Sequence, residues 1–323
     1  MQVSVVIPTY NRVKDLDACL DSIIIQTTLP KEVIIVDDSN NDEIKNLIEQ
    51  RKDEFKEKNI LLRYIRNEKE KSLTIARNIG IENATGDIIL FLDDDVVLDK
   101  EYMKEILKVY KEKPEAMGVQ GHIQNIEKGK KVRHIFNRLF YLGFNEKEKC
   151  KVLPSLYSTY PYSLGKIINC EWLSGANQSY SREVLEEFKY DEKLKKYSYS
   201  EDIDLSYRIF KKHSHSLFMT PHAKLIHKTS QEARLPKKEL VYMGEVYKLY
   251  LFYKNMDQNL KNRLVYLWSR IGEIIYDMIF FILKPSKSKL VKVKYLIGAY
   301  IYCMKHIREI KKGNLEFFNK GLR

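Results

Sequence analysis

The sequence predicts an α/β fold: a Rossmann-like, mostly parallel central sheet flanked by helices, followed by a helical extension. Three observations carry this. Short β-branched runs alternate with longer stretches of helical periodicity through the first part of the 323 residues. Several of those runs stop abruptly in polar residues. The charge is also unevenly divided. Residues 229–323 hold 19 Lys and Arg against 8 Asp and Glu, whereas residues 1–228 hold 37 against 36. A boundary near Thr229 therefore separates a near-neutral part, 1–228, from a basic part, 229–323.

The elements follow in order. VSVVI (Val3–Ile7) and EVIIVDD (Glu32–Asp38) read as buried strands, short and β-branched. Between them Leu16, Leu20, Ile23 and Ile24 recur at helical spacing, and Pro30 helps to stop that helix. LLRYIRN (Leu61–Asn67) is a third strand. Ser72 can cap a helix bearing Ile75, Ala76, Ile79 and Ala84, with Gly86 at its end. DIILFL (Asp87–Leu92) is wholly apolar after its first residue and predicts a central strand. Strands and helices alternating at this spacing predict parallel pairing with right-handed crossovers. After Glu115 the pattern loosens. Residues 124–169 are polar, basic and Tyr-rich, with a weak helical stretch around Val132–Leu142, and read as a substrate loop or lid. Glu171–Phe188 is a Gly-containing turn leading to a helix. Ser200 is a candidate N-cap for the helix of SYSEDIDLSYRIFKK, and Leu217–His227 reads as a strand ending in His.

In open α/β sheets, ligands sit beyond the carboxyl ends of the strands. Thr9-Tyr10-Asn11 follow the first strand, Asp37 and Asp38 end the second, and Asp93, Asp94 and Asp95 follow the fourth. A single Asp after a strand is an ordinary loop residue. Two acidic clusters at corresponding ends are not, because adjacent carboxylates repel unless something positive lies against them. Glu201, Asp202 and Asp204 crowd the first turn of a helix, where its dipole already favours anions.

Other classes are disfavoured. Cys19, Cys150, Cys170 and Cys303 form no C-x-x-C pair, so neither a disulfide framework nor a zinc site is expected, and a reducing compartment fits. MQVSVVIPTY lacks the basic flank and cleavage site of a signal peptide. The basic part carries no named nucleic-acid motif, so no nucleic-acid partner is expected. A nucleotidyltransferase would need a Gly- and basic-rich phosphate loop after the first strand, and PTYNRVKD is not one.

Taken in order and spacing, VSVVIPTYNR, VIIVDDSN, ARNIGIENATGDIILFLDDD, WLSGAN, and SEDIDLSYR followed by a His-ended strand resemble the inverting nucleotide-sugar glycosyltransferases of family 2, which have the GT-A fold. The resemblance covers about residues 2–228. It implies a nucleotide site built from Pro8, Thr9, Tyr10, Asn11 and Arg12 with Asp37 and Asp38, Tyr10 lining the base pocket and Asp37 at the nucleobase or ribose. Arg77 and Asn78 would sit near the diphosphate, and Asp94 would join Asp93 on the donor side. Asp93 and Asp95 resemble a D-x-D metal pair, with His227 as a further ligand. Gly175-Ala176-Asn177 would border the donor sugar. Asp202 resembles the catalytic base, with Glu201 as the fallback.

The chemistry agrees with these roles. Aspartates hold a diphosphate only through a bridging hard cation, Mg²⁺ or Mn²⁺, and an imidazole ligand leans toward Mn²⁺. A carboxylate across the sugar can take the acceptor hydroxyl's proton. Family habit favours a UDP-sugar donor, with a glycan or lipid-linked acceptor. Two features depart from the pattern. Val96 stands where many members have a polar residue. Gln231-Glu232-Ala233-Arg234-Leu235 lacks the Trp of the Q-x-x-R-W sequence of processive members, which implies single addition.

The basic part predicts helices at about Lys237–Asn255, Gln258–Leu283 and Lys287–Lys312, with Pro285 dividing the last two. Leu264–Leu283 is 20 residues long but contains Arg270, Glu273 and Asp277. Such a helix suits a membrane surface better than a span. Lys284, Lys287, Lys289, Lys292 and Lys294 would face anionic headgroups. The expectation is a cytoplasmic protein, peripheral at the inner face of the membrane. A helical cap or a homo-oligomer interface is the alternative use of these helices.

Overall fold

The first strand, β1 (Val3–Thr9), is buried at every residue, which is why it reads as an unbroken apolar run. The structure is a computed structural model and describes residues 1–230 and 236–321; the Gln231–Leu235 stretch that lacks the processive-type Trp lies outside the described residues. After β1 come α1 (Val13–Ile24), β2 (Glu32–Asp37), α2 (Glu43–Glu57), β3 (Leu61–Arg66), α3 (Leu73–Asn83), β4 (Ile88–Phe91), β5 (Val96–Leu98), α4 (Tyr102–Glu112) and β6 (Gly118–Ile123). The middle of the chain forms α5 (Lys131–Leu139), β7 (Phe144–Glu146), β8 (Thr159–Pro161), β9 (Ile168–Asn169), β10 (Gln178–Ser181), α6 (Arg182–Glu187), α7 (Glu201–Lys212) and β11 (Leu217–His227). The remainder is helical: α8 (Lys237–Asn255), α9 (Leu260–Leu283), α10 (Lys287–Lys305), α11 (Ile307–Lys311) and α12 (Glu316–Asn319).

Among the described residues the main sheet runs β3-β2-β1-β4-β10-β6-β11-β5, with β9 added on β11. The β3-β2-β1-β4 half is parallel throughout, as the sequence predicts, and β4 is central. The other half is mixed: β10 lies antiparallel between β4 and β6, and β5 lies antiparallel to β11. Helix faces explain the parallel half. α1 buries Leu16, Cys19, Leu20 and Ile23, and α3 buries Ile75, Ala76 and Ile79. At Gly80 of α3 a Cβ would collide with the Val6 side chain, so only glycine lets this helix lie so close to β1.

Two predicted caps differ. Ser72 sits at the N-cap of α3 with extended backbone, but its hydroxyl donates to the Leu194 carbonyl, 3.2 Å away, instead of capping. Ser200 precedes α7 in the left-handed region, φ 59°, and makes no cap bond either.

The chain forms two compact units. One contains Met1–Ile126 and the stretch from Tyr162 through β11, and holds the main sheet. The other joins Glu127–Pro161 to the C-terminal helices. The charge division at Thr229 assigns Glu127–Pro161 to the sheet part, whereas the compact units place it with the helices. The reason is aromatic packing: Phe140 stacks on Trp268 with centroids 4.7 Å apart, and Phe136 lies 5.6 Å from Tyr276. By these units the charge contrast sharpens. Residues 127–161 with 236–323 hold 26 Lys and Arg against 10 Asp and Glu, a net +16.

Candidate active site

The strand ends β1, β2, β4 and β11 converge on one sheet edge, and their residues divide into three groups. The first is a candidate metal centre. Directly after Asp95 the chain becomes β5, and β5 pairs antiparallel with β11 so that Val96 lies opposite His227. Val96 is fully buried, so an apolar residue belongs there. This pairing brings His227 Nε2 to 3.0 Å from Asp95 Oδ1 and 4.0 Å from Asp93 Oδ2. The ligand atoms of Asp93, Asp95 and His227 all lie within 4.8 Å of one another. Backbone bonds fix the cluster: Lys228 N–H donates to the Asp95 carbonyl at 2.9 Å, and Ser230 N–H to Asp95 Oδ2 at 2.8 Å. Burial resists ionisation of Asp95, but His227, the Ser230 N–H and Arg12 together outweigh it and hold the carboxyl below its usual range. Burial likewise opposes the imidazolium of His227, and its neighbours Asp95 and Asp93 raise its pKa nonetheless. A positive charge is thus stabilised where these three side chains meet. Two carboxylates and an imidazole, gathered on rigid strand ends, are a donor set that fits a divalent cation.

Asp94 turns the other way. It accepts from Thr9 Oγ1 at 2.8 Å and Arg12 Nη1 at 3.1 Å, tying the loop after β4 to the loop after β1. Burial pushes its carboxyl up to about 7 against the pull of Arg12.

The second group lies at the carboxyl ends of β1 and β2. Asp37 is fully buried, accepting from Ser39 N–H at 2.8 Å and Tyr64 OH at 2.9 Å. Asp38 accepts from Asn67 Nδ2 at 2.6 Å and Ser72 N–H at 3.1 Å, and burial raises its carboxyl to about 6. Pro8 pairs with Val36 inside the sheet. Tyr10 is exposed with Lys71 Nζ 4.8 Å from its ring centroid, and Asn11 turns the chain with φ 54° while its N–H donates to Ser39 Oγ.

The third group is organised by Arg77. Only 1% exposed, it donates from Nη1 to Glu201 at 2.7 Å, and from Nη2 to Asp93 and to the Gly175 carbonyl, both at 3.1 Å. Burial disfavours its charge, and Tyr190, Glu201 and Asp93 more than restore it. Gly175 N–H donates to Asp202 Oδ2 at 2.9 Å, and Ile203 N–H to Oδ1 at 2.8 Å. Burial, then the adjacent Glu201 charge, raise the Asp202 pKa well above the ordinary carboxylate range.

A family model for glycosyl transferase family 2 matches residues 4–189. The chain belongs to glycosyl transferase family 2. An uncharacterised glycosyltransferase of Rickettsia felis is 32% identical over 167 residues, which is 52% of this chain but 25% of that protein. The chain therefore spans about a quarter of that curated relative. Among solved structures, GalNAc-T7 with UDP, GalNAc and Mn²⁺ is similar at TM-score 0.57 and 19% identity, covering 84% of this chain and 55% of the other. The mannosyltransferase PcManGT of Pyrobaculum calidifontis, solved with GDP-Man and Mn²⁺, is similar at TM-score 0.56 and 15% identity, covering 93% and 86%. These likenesses establish a GT-A fold.

The edge gathers Thr9, Arg12, Asp93, Asp94, Asp95, Arg77 and Gly175 from the matched region with Glu201, Asp202 and His227 from beyond it, through the contacts above. Three expected residues make structural contacts instead. Asn78 exchanges hydrogen bonds with the backbone of Tyr190 and donates to Glu192, so it braces the loop under Arg77. Asn177 is fully buried and donates to the Gly121 carbonyl at 2.9 Å. Ala176 offers its carbonyl to Asp93 N–H at 3.2 Å. Tyr190 was not legible as a site residue, yet its ring lies 5.3 Å from the Arg77 guanidinium. The available signal was Arg77 itself, set among Ile75, Ala76 and Ile79 on a buried helix face where a cation needs both partners and a platform.

Proposed function

We propose that the chain is an inverting hexosyltransferase that moves one sugar from a nucleotide-diphosphate sugar to a hydroxyl of a glycan or lipid-linked acceptor. The observation that carries this is the Arg77 fork. One buried guanidinium touches Asp93 of the candidate metal centre, the Gly175 carbonyl, and Glu201 beside Asp202. A single group of this kind would tie the diphosphate end of a donor site to its base end.

Asp93, Asp95 and His227 would hold Mn²⁺ or Mg²⁺; when bound, the ion supplies Lewis-acid stabilisation of the diphosphate as it departs. Bound Mn²⁺ in both GalNAc-T7 and PcManGT supports that metal. Those two structures carry UDP and GDP-Man respectively, so the base rests on family habit, which favours UDP. Asp37, fully buried and held by Tyr64 and Ser39, would support the nucleoside side of the edge from beneath, and exposed Tyr10 would line the base pocket. Arg77 orients Asp93 and Glu201 and keeps them from repelling each other. Asp202 takes the proton of the acceptor hydroxyl. Its backbone donors Gly175 and Ile203 fix the carboxylate, and each oxygen keeps lone-pair capacity for an incoming O–H. A raised pKa makes it a stronger base once ionised. Attack from the base side opposite the diphosphate inverts the anomeric carbon. Glu201 is the weaker candidate because Arg77 already occupies its carboxylate.

The test is thermal shift of the full chain against UDP, GDP, TDP and CMP, each with and without Mn²⁺, repeated with Asp95→Asn. Mn²⁺-dependent stabilisation by one nucleoside diphosphate, lost in the variant, is expected. Undiminished Mn²⁺-dependent binding in Asp95→Asn would overturn the metal assignment.

A further inference from the structure

Helix α9 has its polarity reversed. Its inward face carries Ser269, Arg270 and Asp277, all buried. These polar groups are satisfied within the helical unit: Arg270 Nη1 donates to Glu245 at 2.8 Å, Lys292 to Asp277 at 2.7 Å, and Tyr300 OH to Glu273 at 3.0 Å. The outward face carries Leu264, Leu267, Ile271, Ile275, Met278 and Ile282, every one exposed. They recur at three- and four-residue intervals and so form one continuous stripe. A helix facing water shows the opposite arrangement. At 1.5 Å per residue the stripe is about 30 Å long.

The stripe is not isolated. On α5, Val132, Ile135 and Leu139 are also exposed, Val132 at 81%. Trp268 Nε1 donates to the Leu139 carbonyl at 2.9 Å, so the two apolar edges meet. Trp268 itself is 43% exposed at the seam. Basic residues frame the face: Lys131, Arg133 and Arg138 on α5, and Lys284, Lys287 and Lys289 at the corner from α9 to α10.

We propose that the α5–α9 face lies in the surface of an anionic lipid bilayer. The surrounding charge selects this occupant. The unit carries a net +16, so a second copy presenting the same face would meet like charge, whereas an anionic bilayer offers acyl chains to the stripe and headgroups to its basic frame. The helix lies on the membrane instead of crossing it: among the described residues no helix is long and apolar enough to span. Trp268 sits at the interfacial depth where tryptophan is enriched. The inference does not rest on the sugar-transfer reading, since it concerns a different face and a different ligand.

The experiment mixes the full chain with phosphatidylcholine vesicles, with or without 30% phosphatidylglycerol (a composition on the order of that of anionic membranes), at low and high salt. Co-sedimentation and quenching of tryptophan by brominated acyl chains are read together. Binding should require the anionic lipid and weaken at least tenfold with salt. Quenching should disappear in Trp268→Phe. The triple variant Leu267→Ser, Ile271→Ser, Ile275→Ser should lose vesicle binding with unchanged circular dichroism, because it alters exposed positions only. Should that variant misfold, Ile135→Ser with Leu139→Ser tests the α5 edge alone and should weaken binding. Absence of binding to anionic vesicles overturns the proposal. So does a concentration-dependent dimer that the triple variant abolishes, since the face would then be covered by a second copy.

Discussion

Replacing Arg77 by Met should destabilise the sheet unit through electrostatics more than through lost volume. Met fills much of the same space with an apolar chain. The charge is removed, and Glu201 and Asp93, formerly 2.7 and 3.1 Å from the guanidinium, face each other and Asp202 without it. Arg77 and Glu201 are both buried, so little water can replace the guanidinium. Removing one partner of a buried pair costs about 3–5 kcal/mol. For a unit of this size, about 2–4 °C of midpoint accompanies each kcal/mol, so thermal unfolding by circular dichroism should shift down by roughly 10 °C. The decisive measurement is the double variant. Adding Glu201→Gln to Arg77→Met removes a stranded carboxylate and should recover part of the loss, giving a coupling energy of about 0.5–3 kcal/mol. Arg77→Lys, which keeps the charge but cannot bridge three acceptors, should fall between. A loss below ~1 kcal/mol for Arg77→Met, or strict additivity in the double variant, would refute the reasoning that this guanidinium is what makes the acidic cluster tolerable.

Other outcomes follow from the same structure. Asp202→Asn should keep Mn²⁺-dependent nucleotide binding and lose transfer by ~10²–10⁴-fold, and the wild-type rate should rise with pH through an apparent pKa above the ordinary carboxylate range; a crippled Glu201→Gln beside an active Asp202→Asn would exchange their roles. Asp38, raised by burial from 3.8 to about 6, binds its proton more tightly folded than unfolded. Its contribution therefore lowers stability as pH rises from about 4 to 6, by roughly 3 kcal/mol, and the difference in melting temperature between wild type and Asp38→Asn should change across that interval; a flat difference would count against it. Gly121→Ala would press a methyl against the Ala223 carbonyl and the Tyr102 ring, and backbone cannot yield as a flexible side chain does. A loss of about 1–3 kcal/mol by urea denaturation is expected, and an unchanged midpoint would mean that β6 and β11 can part there.

What could be read in advance, and what could not, separates along a physical line. Strands β1, β2 and β4 of the parallel half were legible because they are buried on both faces and so are largely apolar, and their ends were marked by Thr9, Asp37 and Asp93; β3, at the sheet edge, is only partly buried. β11 was read to the residue, Leu217–His227. β5 was not, since three residues carry no periodicity; only its pairing with β11 shows why Asp95 and His227 meet. The direction of Asp94 was equally hidden, because three successive aspartates differ only in which way the backbone aims them. The antiparallel insertion of β10 was invisible for a related reason: a strand's sequence does not state its direction.

Helix α9 shows the limit most clearly. Its pattern specified two faces, one apolar and one bearing Arg270, Glu273 and Asp277. The ordinary inference sends the apolar face inward, or treats the charges as the solvated side of a surface helix. Periodicity fixes that two faces exist, but which of them is buried depends on partners far away in sequence. Here Glu245 and Lys248 on α8, and Lys292 and Tyr300 on α10, supply counter-charges and hydrogen bonds that make the polar face the inward one. Once those partners are satisfied, the leucines and isoleucines are left outside, and this is the surface for which an anionic bilayer is proposed, as an external partner answering the same demand that Glu245, Lys248, Lys292 and Tyr300 answer for the buried charges.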